Sequence, residues 1–216
     1  MDTKSYKISL EKHPLISINV IPGHFTTSNA HCNNFLDVSR LKTNAIIARD
    51  VARELVIPYL SSTLVDTIVC MERTEVIGAY LAEEFMKEGV AVINAGNEIN
   101  VVSPSSNVNG NLVFQDNVTG CISNKNILLL ISSISSGRTL DSSRECLAYY
   151  GGKIAGVSAL FAASREKLGN DVHTLFTSED IPGYKLYNTG ECDMCKAGLK
   201  LDAIVSSEGY TILGRS

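Results

Sequence analysis

The sequence lacks the features that would direct the chain to a membrane or to nucleic acid. No stretch approaches the ~18 consecutive apolar residues that would span a bilayer. The first residues, "MDTKSYKISLEKHP", carry charges but not the long apolar core of a signal peptide. Basic residues never form runs longer than two, and the net charge is −4. We therefore expect a cytoplasmic protein that binds neither membranes nor nucleic acid.

Cysteine is present six times, but only one pair has the spacing of a metal or redox site, Cys192 and Cys195. A zinc site there needs two more ligands. By residue type the nearest second pair is His31 and Cys32, and no spacing argument brings it close. In a reducing cytosol thiols are the default. We therefore expect Cys192 and Cys195 to be unligated thiols and expect no bound metal.

Hydrophobic periodicity predicts an α/β fold with a mostly parallel central sheet flanked by helices. The predicted helices cover residues 44–60, 75–89 and 138–150, and the predicted strands cover residues 65–71, 90–94, 126–131 and 153–162. Two further apolar segments, "INVVS" and "NLVFQ", flank "PSSNVNGN", whose composition is typical of a loop or hairpin.

The stretch "ILLLISSISSGRTLDSS" (residues 127–143) combines the most hydrophobic strand with a loop rich in hydroxyls and the start of a helix. In parallel sheets ligands bind beyond the carboxyl ends of the strands, and a helix N-terminus attracts anions. The candidate phosphate-binding residues are Ser132, Ser133, Ser135, Ser136, Gly137, Arg138 and Thr139. A nucleoside-triphosphate P-loop is excluded, because Gly-Lys-Ser/Thr is absent. A plain Ser-rich turn with a helix cap remains the alternative.

Four segments resemble the orotate phosphoribosyltransferase family, which has the type I phosphoribosyltransferase fold. They are "GHFTTSNAHCNNFLDVSRL", "VDTIVCMERTEVIGAYLAEEF", "NKNILLLISSISSGRTLDSSRECLAYYGGKIAGVSALFA" and "CDMCKAGLKL". The resemblance implies one domain over residues 1–216, with a core at 44–165 and a small hood built from residues 1–43 and 166–216. It also implies a homodimer, and magnesium if the protein is catalytically active.

The same resemblance places the family's functional positions on unusual residues. The acidic pair that holds the ribose hydroxyls falls on Ile131 and Ser132. The pyrophosphate loop, which has small residues in the family, corresponds to Arg73, Thr74 and Glu75. Bulky side chains there would crowd a pyrophosphate, and the Glu75 carboxylate would repel it by roughly 4 kcal/mol at 4 Å.

Two further family features are altered. The mobile catalytic loop falls on residues 101–114, which contain no Lys, Arg or His. The base-recognising Asp-Arg falls on Ala162 and Ala163, with Arg165 as a possible substitute.

The N-terminal part of the resemblance implies base-side and supporting positions. The possible base-side residues are Phe25, Thr26 and Ser28. His24 and His31 lie in the same segment, and we interpret each as a hydrogen-bonded surface histidine. Asp37 and Arg40 are expected to tie this segment to the core.

These departures favour a phosphoribosyltransferase-like protein that binds a small phosphorylated ligand, such as a phosphate, nucleotide or phosphosugar, without the family's catalysis. The alternative is an active transferase that acts on orotate or another base in pyrimidine nucleotide synthesis. A third hypothesis is an interaction protein with an empty pocket.

Overall fold

The computed structural model describes residues 5–28, 30–88, 93–108, 110–163, 172–188, 190–206 and 209–213. The strands are β1 (Tyr6–Ser9), β2 (Ser17–Thr26), β3 (Ala30–Asp37), β4 (Thr67–Cys70), β5 (Asn100–Val102), β6 (Ser105–Ser106), β7 (Leu112–Val113), β8 (Asn126–Ile134), β9 (Lys153–Ala162), β10 (Val172–Thr177), β11 (Leu186–Asn188), β12 (Ala203–Ser206) and β13 (Gly209–Ile212). The helices are α1 (Ser39–Thr43), α2 (Ala45–Val56), α3 (Glu75–Met86), α4 (Arg138–Tyr149) and α5 (Asp193–Lys196). Short 3₁₀ turns cover Asp116–Cys121 and Ser178–Asp180.

The central sheet is parallel and has the strand order β10-β9-β8-β4-β5. Alternate residues of β8 point to opposite faces. Leu128 and Leu130 pack in the same apolar cluster as the buried residues of α2 and α3. Leu129 and Ile131 pack in a second cluster with Leu140 of α4. Both faces of the sheet are therefore covered, as the sequence predicted.

The second sheet combines the two ends of the chain. Its order is β11-β3-β2-β12-β13, and β1 pairs with β2. The strand β12 from the C-terminal segment runs parallel to β2, where Ala203 pairs with Phe25. Phe25, Cys32 and Ala203 form its small apolar core. This sheet, which we call the accessory sheet, is built from strands that precede residue 38 or follow residue 185.

Helix α2 shows how local sequence sets an element. Asn44 begins it, because its side-chain oxygen accepts a hydrogen bond of 3.2 Å from the backbone N–H of Ile47. Ile47, Val51 and Leu55 then recur at helical spacing and are buried against the sheet.

The end of β8 and the edge strand of the central sheet differ from the prediction. Strand β8 continues to Ile134, because Ser133 and Ile134 still pair with Phe161 and Ala162 of β9. The strand predicted at 90–94 and the helix end at Gly89 lie largely outside the described residues, while residues 93–96 form a turn. The sheet edge next to β4 is occupied by β5 instead.

The predicted core boundary at residue 165 also excludes a core element. Strand β10 follows that boundary but pairs in parallel with β9 in the central sheet. Its sequence, "VHTLFT", alternates too weakly to be recognised as a buried strand.

Among the described helices, none is both long and apolar enough to cross a membrane.

Candidate phosphate-binding site

A cleft of about 450 Å³ separates the accessory sheet from the carboxyl end of β8 and the start of α4. The central-sheet side is lined by Glu72, Ser132, Ser133, Ser135, Ser136, Arg138 and Thr139. The opposite side is lined by Thr27, Ser28, Phe35, Leu36, Asp37, Val38, Ser39, Lys42, Val205, Ser206 and Gly209. Two cations and two carboxylates therefore share the cleft.

The phosphate-loop candidates converge on this cleft. Six of the seven predicted residues line it, and the seventh, Gly137, is the residue from which α4 begins. Gly137 has φ +89°, a left-handed conformation that favours glycine. Within the described part of the chain, no side chain caps this helix end. Its first backbone N–H groups are therefore suited to an anion.

Ser132 and Ser133 belong to the strand rather than to the loop. Ser132 is 3 % exposed and lines the cleft. Ser133 is exposed and also lines the cleft, and its backbone N–H donates to Glu72. The loop itself is confined to Ser135–Gly137, between β8 and α4.

The carboxylate of Glu72 lies beside the candidate phosphate loop, on the same side of the cleft. One oxygen accepts a hydrogen bond of 3.1 Å from the backbone N–H of Ser133. The other lies 3.5 Å from the hydroxyl of Thr139, which donates to it. Burial raises the pKa of the Glu72 carboxyl above its ordinary value of 4.5, and the Ser133 N–H, the Lys42 charge and the Thr139 hydroxyl act in the opposite direction.

Lys42 is a cleft cation that the sequence analysis missed. It extends from α1, and its Nζ donates a hydrogen bond of 2.9 Å to the backbone carbonyl of Glu72. The only available signal was its position just after the "D.SR" resemblance at residues 37–40, where it reads as an ordinary surface lysine.

The predicted pyrophosphate loop follows Glu72 and lies outside the described lining of the cleft. Arg73, Thr74 and Glu75 are absent from the described residues that line the cleft. Thr74 is fully buried, and its hydroxyl donates to the carbonyl of Met71 at 2.9 Å. Glu75 accepts a hydrogen bond of 2.7 Å from Ser103. The carboxylate that lines the cleft is therefore Glu72, whereas the resemblance placed Glu75 there.

The turn that aims Glu72 has an unusual backbone. Glu72 and Arg73 have φ values of 55° and 64°, which non-glycine residues rarely adopt. Such conformations persist where surrounding contacts fix them, and they cluster at functional sites. Here the fixing contacts include the Lys42 hydrogen bond to the Glu72 carbonyl.

The predicted base-side residues separate into two groups. Ser28 lines the cleft, together with its neighbour Thr27. Phe25 is instead fully buried in the accessory sheet, where its ring centroid lies 5.9 Å from that of Phe35. Thr26 is half-buried, and its hydroxyl donates to the carbonyl of Thr27. Thr27 and Ser28 follow the last residue of β2, so the chain reaches the cleft only after this strand has ended.

The remaining predicted positions have simpler roles. Asp37 lines the cleft and accepts a hydrogen bond of 2.9 Å from the backbone N–H of Ser39, which holds the start of α1. Arg40 is exposed at the surface. Ala162 is buried at the end of β9, and Arg165 lies outside the described residues.

Within residues 101–114, apart from 109, which lies outside the described residues, the end of β5 is followed by the paired strands β6 and β7. Ser105 pairs with Val113 and Ser106 with Leu112. The hairpin packs near α4, where Phe114 donates its backbone N–H to the Tyr150 hydroxyl. Of the two predicted alternatives, a loop or a hairpin, the structure shows a hairpin, and its sequence contains no basic residue.

The two histidines of the N-terminal segment are not both surface residues. His24 is 3 % exposed, which corrects the sequence interpretation. Its Nε2 lies 3.2 Å from Nδ1 of His31, and the two thiols of Cys192 and Cys195 adjoin the pair. No spacing rule could bring together residues that are separated by about 170 positions.

Known proteins match this chain in structure rather than in sequence. No protein-family model matches the sequence. No curated protein matches it either.

Solved structures do match. The adenine phosphoribosyltransferase of Giardia lamblia, complexed with 9-deazaadenine, is 16% identical with a TM-score of 0.51, and the match covers 74% of this chain and 93% of that one. The orotate phosphoribosyltransferase of Mycobacterium tuberculosis is 13% identical with a TM-score of 0.48, covering 76% and 91%.

The UMP synthase of Leishmania donovani is 18% identical with a TM-score of 0.49, and the match covers 69% of this chain. It spans only 31% of that enzyme's length.

Proposed function

We propose that this chain, which has the type I phosphoribosyltransferase fold, binds the phosphomonoester of a hydroxylated sugar and does not transfer it. Ribose 5-phosphate and nucleoside monophosphates are the ligand class. The observation that carries the proposal is that a helix N-terminus with its hydroxyl loop and the Glu72 carboxylate face one cleft.

The phosphate half of the ligand fits the loop between β8 and α4. Backbone N–H groups at the start of α4 and the hydroxyls of Ser135 and Ser136 are the donors that a phosphate requires, whereas the Thr139 hydroxyl donates to Glu72. Arg138 lines the same cleft and adds positive charge. Each hydrogen bond to a charged group contributes about 1.5–3 kcal/mol.

The sugar half fits the Glu72 carboxylate. A carboxylate accepts hydrogen bonds from ribose hydroxyls. In the family an acidic pair has this role, but Ile131 and Ser132, which stand at those positions here, carry no carboxylate. Glu72 reaches this region from a different element, the turn after β4. We infer that it supplies part of the missing sugar grip.

Glu72 also sets a preference between ligands. An unadorned phosphate meets a negative charge close to the Thr139 hydroxyl without gaining any hydroxyl contact in return. A sugar phosphate offers hydroxyl donors that compensate for this repulsion. The cleft should therefore bind ribose 5-phosphate more tightly than inorganic phosphate.

Transfer of the phosphoribosyl group requires stabilisation of a departing pyrophosphate. Positive charge placed where negative charge develops is commonly the largest catalytic contribution. The segment that corresponds to the family's catalytic loop is the neutral β6–β7 hairpin. The described cations that line the cleft are Lys42, which donates to the Glu72 carbonyl, and Arg138, and neither belongs to this hairpin. These features support binding without transfer.

The proposal is tested by calorimetric titration of the wild type with ribose 5-phosphate, a nucleoside monophosphate and inorganic phosphate. We expect binding of both sugar phosphates and weaker binding of inorganic phosphate. The variant Glu72→Gln should weaken ribose 5-phosphate and strengthen inorganic phosphate. Glu75→Gln is the matched control, because it removes the same charge three residues away, outside the cleft lining.

Opposite shifts for the two ligands cannot arise from simple misfolding, which would weaken both. The proposal fails if none of the three ligands produces heat at millimolar concentration. It also fails in its sugar-binding part if Glu72→Gln and Glu75→Gln change both affinities equally.

A further inference from the structure

We propose that His24, His31, Cys192 and Cys195 form a structural zinc site that joins the two ends of the chain. Their ligand atoms all lie within 4.8 Å of one another. It is the only such group of potential ligands among the residues that the structure describes. The site is separate from the proposed function, since none of the four lines the phosphate cleft.

The distances between the ligand atoms match a tetrahedron around one ion. With Zn–N near 2.0–2.1 Å and Zn–S near 2.3 Å, tetrahedral geometry requires about 3.4 Å between two nitrogens and about 3.6 Å between nitrogen and sulfur. His24 Nε2 lies 3.2 Å from His31 Nδ1 and 3.5 Å from Cys192 Sγ. Cys195 Sγ lies 3.6 Å from His24 Nε2 and 3.3 Å from His31 Nδ1.

The ring nitrogen of His24 that faces away from the cluster, Nδ1, makes a hydrogen bond that is typical of metal-binding histidines. Its Nδ1 lies 3.1 Å from the backbone carbonyl of Leu199, to which it can only donate a proton. That bond leaves Nε2 without a proton and directed at the cluster. Metal-binding histidines typically make such a bond with the nitrogen that does not face the ion.

The fold positions each ligand by a specific local device. Register in β2 and β3 shifts between Pro22 and Phe25, and this bulge carries His24. The pair Thr26–His31 follows directly, so His31 lies diagonally across from His24. Backbone hydrogen bonds from Asp202 N–H to the His24 carbonyl and from His24 N–H to the Asp202 carboxylate fix the bulge.

The two thiols come from a tight turn around α5. Cys192 begins this short helix, and its carbonyl accepts from Lys196 N–H at 3.1 Å. Gly198, with φ +74°, ends the turn, and its N–H donates to the Cys195 carbonyl. The spacing places both sulfurs on the side of the histidines.

Two thiolates and two neutral imidazoles form a closed, charge-neutral set for Zn²⁺. Four protein ligands leave no position for water or substrate, so the site is structural. The ion would bind β2 and β3 to the turn that precedes β12, and so fix Thr27 and Ser28 in the cleft wall.

The test uses the reduced full-length protein, stripped of metal by a chelator and titrated with Co²⁺ as a spectroscopic probe. We expect one Co²⁺ per chain, with the visible absorption of a tetrahedral site and a thiolate charge-transfer band, and displacement by one equivalent of Zn²⁺. Cys195→Ser and His31→Ala should weaken binding by about a hundredfold or more. Both side chains lie at the less buried end of the cluster, so these variants should fold.

Cys121→Ser and His13→Ala are the matched controls, because they remove the same residue types elsewhere and should keep the affinity within about twofold. Cys121 is a free thiol, and His13 pairs with Glu54 at the surface. The proposal is overturned if the reduced wild type gives no tetrahedral Co²⁺ spectrum, or if Cys195→Ser binds as tightly as Cys121→Ser. A readily formed Cys192–Cys195 disulfide in the absence of metal binding would identify a redox pair instead.

Discussion

Glu72 accepts a hydrogen bond of 3.1 Å from the backbone N–H of Ser133, which joins the turn after β4 to the end of β8. This contact places a carboxylate beside the candidate phosphate loop. The family's ribose-binding acidic pair falls on Ile131 and Ser132, so the sequence predicted no carboxylate in that role. It makes Glu72 the residue whose variants are most informative about the cleft.

The pH dependence of stability should report Glu72. Its pKa in the folded chain is raised by burial, so the folded state holds the proton more tightly than the unfolded state does. The resulting stability is fully present below about pH 4.5 and is lost as the pH rises through the folded-state pKa. Glu72→Gln should therefore increase the free energy of unfolding at pH 7 relative to wild type, with a smaller difference at pH 4.

Thermal unfolding of wild type, Glu72→Gln and Glu75→Gln between pH 4 and pH 8 measures this effect. A Glu72→Gln curve that runs parallel to the wild-type curve over the whole range would show that Glu72 carries no such linkage.

Arg138 should contribute to phosphate affinity through charge. Arg138→Ala should weaken ribose 5-phosphate binding about tenfold, which corresponds to about 1.4 kcal/mol. Arg144→Ala is the matched control on the same helix, because Arg144 does not line the cleft. Its Nη1 lies 3.8 Å from Oδ1 of Asp141. Calorimetry of the two variants at low salt measures the difference in affinity. Equal affinities would show that the Arg138 side chain does not contribute to phosphate binding.

The close approach of α3 to β4 should be intolerant of a single methyl group. A Cβ at Gly78 would overlap Cys70 Sγ and lie 3.2 Å from Val101 Cγ1. Gly78→Ala should destabilise the fold by about 1–3 kcal/mol, although alanine favours a helix by about 1 kcal/mol.

Chemical denaturation measures this cost, and Gly120→Ala is its control, because no described atom lies within 4 Å of a Cβ there. Adding Cys70→Ala to Gly78→Ala should restore part of the lost stability. A double variant no more stable than Gly78→Ala would contradict the proposed overlap.

Metal removal should loosen the accessory sheet and leave the central sheet intact. Chelation should increase hydrogen exchange in β2, β3 and β12, because the ion would tie these strands to the α5 turn. Exchange in β8 and β9 should not change. Mass spectrometry of peptides from both sheets measures the contrast, and uniform changes would contradict a local site.

The sequence predicted the central sheet well because its strands are continuous apolar runs. The segment "NILLLI" is buried on both faces, so its composition alone identifies a central strand. The loop that follows it was also predictable, since position at a strand end and hydroxyl content indicated the same site. Strand β10 was missed because "VHTLFT" includes half-buried polar positions.

The finer features of the cleft depended on contacts that no local pattern encodes. Glu72 reaches Ser133 only because its own backbone adopts φ 55°. His24 and Cys192 meet only because β12 returns beside β2. The sequence motifs therefore identified individual segments near the cleft, and the chain topology determined which of their residues lie together.

The central claim is binding of a sugar phosphate without transfer, and ³¹P NMR spectroscopy tests it most directly. The wild-type protein is mixed with phosphoribosyl diphosphate, Mg²⁺, orotate and adenine, and the phosphorus resonances are followed over time. We predict that the 5′-phosphate resonance broadens or shifts on addition of protein, while pyrophosphate appears no faster than without protein. Protein-dependent formation of pyrophosphate and nucleotide, or a 5′-phosphate resonance that the protein leaves unchanged, would contradict the account.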